Sequence, residues 1–200
     1  MGKNATMFDC KVGSIFEKID SGFFFERDIP QHAEYIRSGN YYEWYYAFGA
    51  YYKPKTILEI GVRFGYSLLS MIVGSPSVEY VRGWDIDCYS ADSHNVANSA
   101  IRSRIKDGID FSVDVVNSQE LTELPQFFDL IHIDGDHSYE GKVHDLELCI
   151  GKCRVMVVDD YWHHQPVQQA VNDFLMKHYG KIQTAHIVPT HRGAAVIEFN

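Results

Sequence analysis

Residues 127–162 of this 200-residue chain, FFDLIHIDGDHSYEGKVHDLELCIGKCRVMVVDDYW, leave few folds open to it. Two short apolar runs, Phe128 to Ile133 and Val155 to Val158, each lead into acids: Asp134 and Asp136 after the first, Asp159 and Asp160 after the second. Both runs have the length and composition of buried strands. Between them Val143, Leu146, Cys149 and Ile150 recur at helical spacing, so the stretch is expected to form a strand, a helix and a parallel strand. A right-handed crossover places the carboxyl ends of both strands on one edge of the sheet, and ligands of open α/β sheets bind at that edge. Three or four carboxylates are therefore expected to converge on one crevice.

Like charges that close raise one another's pKa unless a proton or cation lies between them. A divalent ion resolves the conflict, and oxygen ligands favour a hard one such as Mg²⁺, with Mn²⁺ or Ca²⁺ as alternatives. The competing reading is that each acid caps the helix that follows it.

Upstream, Thr56 to Ile60 reads as a buried strand running into Gly61-Val62-Arg63-Phe64-Gly65-Tyr66-Ser67, with a helix from there through Leu68, Leu69 and Met71 to Gly74. Such a turn presents backbone N–H groups and a positive helix end to a ligand. Its pattern, E-x-G-x-x-x-G, lacks the third glycine of dinucleotide binders. A second strand, Tyr80 to Trp84, leads to Asp85, placed to accept hydrogen bonds from ribose hydroxyls. Asp92 or Ser93 is expected to cap a helix through Val96, Ala100 and Ile101, and Ile109 to Val115 reads as strand three. Asn117-Ser118-Gln119 then offers polar groups to an adenine edge, or forms a loop or cap before Leu121. Pro166 opens an amphipathic helix through Val167, Ala170, Val171, Phe174 and Leu175, closed by Gly180. Ile182 to Val188 and Ala194 to Phe199 read as a terminal hairpin.

Residues 1–52 are dense in aromatics, including Phe23-Phe24-Phe25 and Tyr41-Tyr42-Glu43-Trp44-Tyr45-Tyr46. They are expected to form a helical extension packed on the sheet or on a partner subunit, or a lid over the substrate, with the main domain spanning 53–200. The net charge of −9 disfavours nucleic-acid phosphates and anionic membrane surfaces and suits a small-molecule substrate. With no spanning apolar run and no signal pattern, a cytoplasmic protein is expected. Cys149 and Cys153, one turn apart on the expected helix, read as reduced structural thiols. Met1 to Thr6 satisfies loose myristoylation and glycosylation patterns, to which no role is given.

From Lys55 to Asn200 the five alternating strand and helix units, the terminal hairpin and the E-x-G-x-x-x-G turn resemble class I S-adenosylmethionine-dependent methyltransferases. DLIHIDGDHSYEGKVHDL resembles the methyltransferase 24 family, which borders the metal-dependent O-methyltransferases. The resemblance implies an α/β, Rossmann-like, doubly wound and mostly parallel seven-stranded sheet with an antiparallel C-terminal hairpin. It implies a cofactor loop at Glu59, Gly61 and Gly65 with its neighbours Arg63, Tyr66 and Ser67, ribose contact at Asp85, adenine contact at Ser118 and Gln119, and Asp134 at the reacting end. It also implies a divalent ion held by Asp134, Asp159 and Asp160. The family's catalytic lysine is replaced by His137, whose usual pKa near 6.5 suits a base near neutrality. His163 and His164 compete for that role.

The expected reaction is O-methylation of a small diol, catechol or sugar, assisted by Mg²⁺ or another divalent cation. The alternatives are a metal-independent methyltransferase, a nicotinamide-binding oxidoreductase and a non-catalytic nucleotide-binding module. A homodimer or larger assembly would cover the N-terminal aromatics.

Overall fold

A computed structural model describes residues 41–87 and 92–200. The Phe23-Phe24-Phe25 cluster and the Met1 to Thr6 patterns lie outside the described residues. The elements in chain order are α1 (Tyr42–Tyr52), β1 (Thr56–Ile60), α2 (Tyr66–Gly74), β2 (Tyr80–Asp85), α3 (Ser93–Arg102), β3 (Asp110–Val115), β4 (Phe128–Ile133), α4 (Tyr139–Cys149), β5 (Cys153–Val158), α5 (Gln165–Lys177), β6 (Ile182–Val188) and β7 (Ala194–Phe199).

The strands form one seven-stranded sheet in the order β3-β2-β1-β4-β5-β7-β6. Strands β1 to β5 are mutually parallel, and β7 lies antiparallel between β5 and β6. This is the Rossmann-like doubly wound sheet with a terminal antiparallel hairpin that the sequence implies.

Side-chain alternation assigns the helices to the two faces. Ile57, Leu130, Val155 and Val157 point to one face, where they join Phe48 of α1, Leu68 and Met71 of α2, and Ala97 and Ile101 of α3. Leu58, Ile131, Met156 and Val158 point to the other, against Leu146 of α4 and Val167, Val171 and Phe174 of α5. Both faces are covered, so the central strands read as apolar runs broken only where a polar residue has a task.

Helix α1 belongs to this architecture. It crosses α2 at two glycines: a Cβ on Gly49 would lie 2.2 Å from the Met71 carbonyl oxygen, and one on Gly74 2.2 Å from that of Tyr46. Tyr45 and Phe48 are thereby completely buried. Tyr52 Oη donates to Glu198 Oε1 at 2.8 Å, tying α1 to β7.

Two local expectations need correction. Cys149 and Cys153 do not share a helix: Cys149 ends α4, Gly151 turns the chain with φ of 71°, and Cys153 opens β5 two residues earlier than expected. Both are free thiols. Asp92 stands at the N-cap of α3 without a capping bond from its side chain. Asp87 does that work instead, its Oδ1 accepting from Ser93 Oγ at 2.7 Å and from the His94 N–H at 3.1 Å. Among the described residues no helix is long and apolar enough to cross a membrane.

Candidate active site

The turn after β1 is built on close approach. Gly61 has φ of 87°, and a Cβ there would lie 2.2 Å from the carbonyl oxygen of Asp134. Only glycine lets β1 and β4 end side by side. The backbone N–H of Asp134 donates to Ile60 O at 2.7 Å, locking the two strand ends together. Arg63 also takes a left-handed conformation, with φ of 52°, and its N–H donates to Asp85 Oδ2 at 2.6 Å. Asp85 Oδ1 accepts from the Asp87 N–H at 2.7 Å, which fixes the carboxylate at the end of β2.

These residues wall a cavity of 460 Å³ along the carboxyl edge of the sheet. Gly61, Arg63, Asp85, Ser118, Gln119, Asp134 and His137 all line it, together with Trp84, Ile86 and Arg192. A second, smaller pocket adjoins it and is lined by Arg63, Gly65, Tyr66, Ser67, Asp134 and Arg192, with Tyr41 and Tyr42 above. Asn117 caps a short 3-10 turn, its Oδ1 accepting from the Gln119 N–H at 3.2 Å. The side chain of Gln119 is anchored by Asp145 Oδ1 at 2.8 Å.

Glu59, expected in the cofactor loop, lines neither space. It is fully buried on the α1 face, where Ser67 Oγ and His132 Nδ1 each approach Oε1 at 2.5 Å. Glu59 and His132 are register partners on β1 and β4, so the sheet itself sets the pair. Burial raises the Glu59 carboxyl above the usual range, with His132 opposing. Burial alone would lower His132, but the Glu59 contact outweighs it and raises its pKa. The pair holds a proton between them, and the Tyr45 ring covers His132 at 4.7 Å.

The acids after β4 and β5 meet different partners. Asp134 Oδ1 faces His137 Nε2 at 3.2 Å. Burial would raise Asp134, but the His137 bond and the charges of His132 and Lys142 carry it below the ordinary carboxylate range. The same bond, against the effect of burial, raises His137. Asp136 Oδ1 accepts from the Ser138 N–H at 2.8 Å, the local turn role that acids at strand ends often take. Asp159 is fully buried and accepts a hydrogen bond from Tyr41 Oη. Burial, then the charges of Asp134 and Asp160, push it up to about 7.

Asp160, also fully buried, is held at φ of 62° and faces three cationic or ionisable groups. Arg192 Nη1 reaches both of its oxygens at 3.3 Å. His137 Nε2 lies 3.3 Å and His164 Nε2 3.5 Å from Oδ2. The two imidazoles are nearly parallel, 4.6 Å apart. Among the described residues, the ligating atoms of His137, Asp160 and His164 all fall within 4.8 Å of one another, and Asp134, Asp159 and Asp160 are not brought together in that way. His163 is exposed and lines neither pocket.

Sequence reasoning did not single out Arg192, Lys142 or the pairing of His132. Arg192 had one signal: β7 runs antiparallel to β5, which returns the hairpin loop to the carboxyl edge. Lys142 is fully buried, and its Nζ has no hydrogen-bond partner among the described residues.

The chain was compared with known proteins on this basis. Residues 58–161 match the model of a methyltransferase-domain family, methyltransferase 24. An uncharacterized protein of Acanthamoeba polyphaga mimivirus is 30% identical over 129 residues, which span 58% of each of the two chains. Among solved structures, an O-methyltransferase from Bacillus cereus in complex with S-adenosylhomocysteine (SAH) is similar with a TM-score of 0.61 and 18% identity, over 96% of this chain and 91% of that one. An SAH-bound methyltransferase of Podospora anserina gives 0.62 and 16%, over 100% and 98%. The O-methyltransferase TomG of Streptomyces achromogenes, in complex with S-adenosylmethionine (SAM), gives 0.58 and 16%, over 100% and 91%. At these identities the structural likeness speaks for the fold, and the match across more than half of the sequence speaks for the family: this chain belongs to the methyltransferase 24 family of methyltransferase domains.

Proposed function

We propose that the chain transfers a methyl group from SAM to a hydroxyl oxygen of a small acceptor such as a diol, catechol or sugar. One observation carries this reading. A single cavity of 460 Å³ runs from Asp85, Ser118 and Gln119 to Asp134 and His137, so a polar nucleoside end and a proton-accepting end share one space. That volume lies within the range of small-molecule sites.

Bound SAM supplies a sulfonium-activated methyl; its transfer to the acceptor oxygen leaves SAH and frees the hydroxyl proton. The protein's task is alignment and proton removal. Asp85, fixed by the Arg63 and Asp87 N–H groups, keeps acceptor capacity for a ribose diol. The Gly61 turn brings backbone close to the cofactor space, and Asp134 orients the His137 ring that takes the proton. His163, away from the cavity, is set aside as the base in favour of His137.

A divalent ion held by Asp134, Asp159 and Asp160 does not fit the arrangement. Asp159 is turned onto Tyr41 and Asp160 is already faced by Arg192. The ligating atoms of His137, Asp160 and His164 also converge within 4.8 Å, but Arg192 Nη1 already lies 3.3 Å from the same Asp160 carboxylate.

Isothermal titration with SAM and SAH tests the proposal. Micromolar binding, weakened at least tenfold by Asp85→Ala, is expected. Absence of binding to both compounds refutes it.

A further inference from the structure

The acids at the edge of the sheet raise a question of charge that the fold answers from within. Asp160 is fully buried, and a buried carboxylate needs a partner of opposite sign. Its partner comes from the β6–β7 loop. Arg192 lies with Nη1 at 3.3 Å from each Asp160 oxygen and lines both the main cavity and the smaller pocket beside it. Its guanidinium therefore stands where the two spaces and the acids meet.

Backbone hydrogen bonds hold the loop that carries Arg192. The Trp162 N–H donates to Arg192 O at 2.9 Å and the Tyr161 N–H to Gly193 O at 3.0 Å, joining the loop to the segment that carries Asp160. Gly193, with φ of 75°, sits so close to Trp162 that a Cβ would lie 2.6 Å from its ring. A second basic side chain, Lys142, is fully buried, and its charge helps to lower the Asp134 pKa. Asp159, meanwhile, is enclosed by Tyr41.

We propose that Arg192 takes the place of a divalent ion in this chain by neutralising Asp160, so that methyl transfer proceeds without a metal. The inference rests on the methyltransferase reading for its chemistry, but the exclusion of a cation stands on the geometry of Arg192 alone. A guanidinium at the same carboxylate repels a divalent ion there.

The test is Mn²⁺ binding followed by electron paramagnetic resonance on the full chain, with SAH binding measured in parallel. Wild type is expected to bind Mn²⁺ only in the millimolar range, and any methyltransferase activity should be unchanged by chelator. Arg192→Ala should bind Mn²⁺ at least tenfold more tightly. Arg192→Lys, which keeps the charge, should behave as wild type and guards against misfolding of the alanine variant. Micromolar Mn²⁺ binding by wild type, loss of activity with chelator, or equal Mn²⁺ affinity in wild type and Arg192→Ala overturns the proposal. Failure of wild type to bind SAH refutes the methyltransferase reading, and the Mn²⁺ titrations still decide whether Arg192 keeps cations out.

Discussion

Gly61→Ala should damage stability and cofactor binding together, and Gly108→Ala supplies its control. Both glycines have nearly the same backbone conformation, φ of 87° and 89°. An L-residue in that region costs about 1–2 kcal/mol. The surroundings differ completely. A Cβ on Gly61 would lie 2.2 Å from the Asp134 carbonyl oxygen, 2.4 Å from its carbon and 2.7 Å from the Gly135 nitrogen, whereas one on Gly108 has nothing within 4 Å. The Asp134 backbone would have to retreat by roughly 1 Å to reach ordinary contact, against a 2.7 Å hydrogen bond that holds it to Ile60. Overpacking of this kind adds about 1–3 kcal/mol. Urea denaturation should therefore show Gly61→Ala less stable than Gly108→Ala by about that margin, or several degrees in melting temperature for a domain of this size. Titration should show SAH binding lost or weakened at least tenfold only in Gly61→Ala, since Asp134 lines the cavity. Equal stability of the two variants, with equal binding, would refute the claim that contact between strand ends builds the site.

His132→Ala should cost about 3–5 kcal/mol in urea denaturation, because it strands the fully buried Glu59 carboxyl with Ser67 as its remaining side-chain partner. The double variant with Glu59→Leu should recover part of that loss, and a loss below about 1 kcal/mol in the single variant would contradict the paired-proton account. Glu147 on α4 accepts from His178 Nε2 at 2.8 Å and Lys177 Nζ at 2.9 Å. Burial would raise its pKa, but those two partners lower it, so its contribution is complete above the unfolded value of about 4.3 and fades as the pH falls through the lower folded value. Melting temperatures between about pH 5 and 3 should thus fall less steeply for Glu147→Gln than for wild type, and parallel curves would rule the linkage out.

Much of the fold is legible because its signals are local. The apolar runs at Phe128 to Ile133 and Val155 to Val158 are two-sided buried strands, and the Val167, Ala170, Val171, Phe174 stripe is one helix face. The cavity residues were legible for a related reason: each follows a strand of a parallel sheet, so each lies on the same edge. What could not be read depends on register and strand order. Glu59 meets His132 because β1 and β4 are neighbours with those two positions aligned, which nothing near either residue encodes. Asp159 follows β5 as a ligand would, yet it accepts a hydrogen bond from Tyr41, the residue before α1 and far upstream in sequence. Arg192 reaches Asp160 only because β7 inserts beside β5, and the Cys149–Cys153 turn rests on Gly151, which the helical spacing ending at Ile150 leaves out of account.

The insertion of β7 between β5 and β6 also sets an order in time. During synthesis β6 emerges before the strand that must join it to the sheet, so it has no ladder partner until residues 194–199 are made. For the same interval β5 ends the nascent sheet with one edge unpaired, and Asp160 awaits the loop that carries Arg192. Until the β6–β7 loop is in place, Asp160 faces only His137 and His164, and β5 keeps one edge without a ladder partner. Completion of the site should therefore coincide with the pairing of β7 against β5.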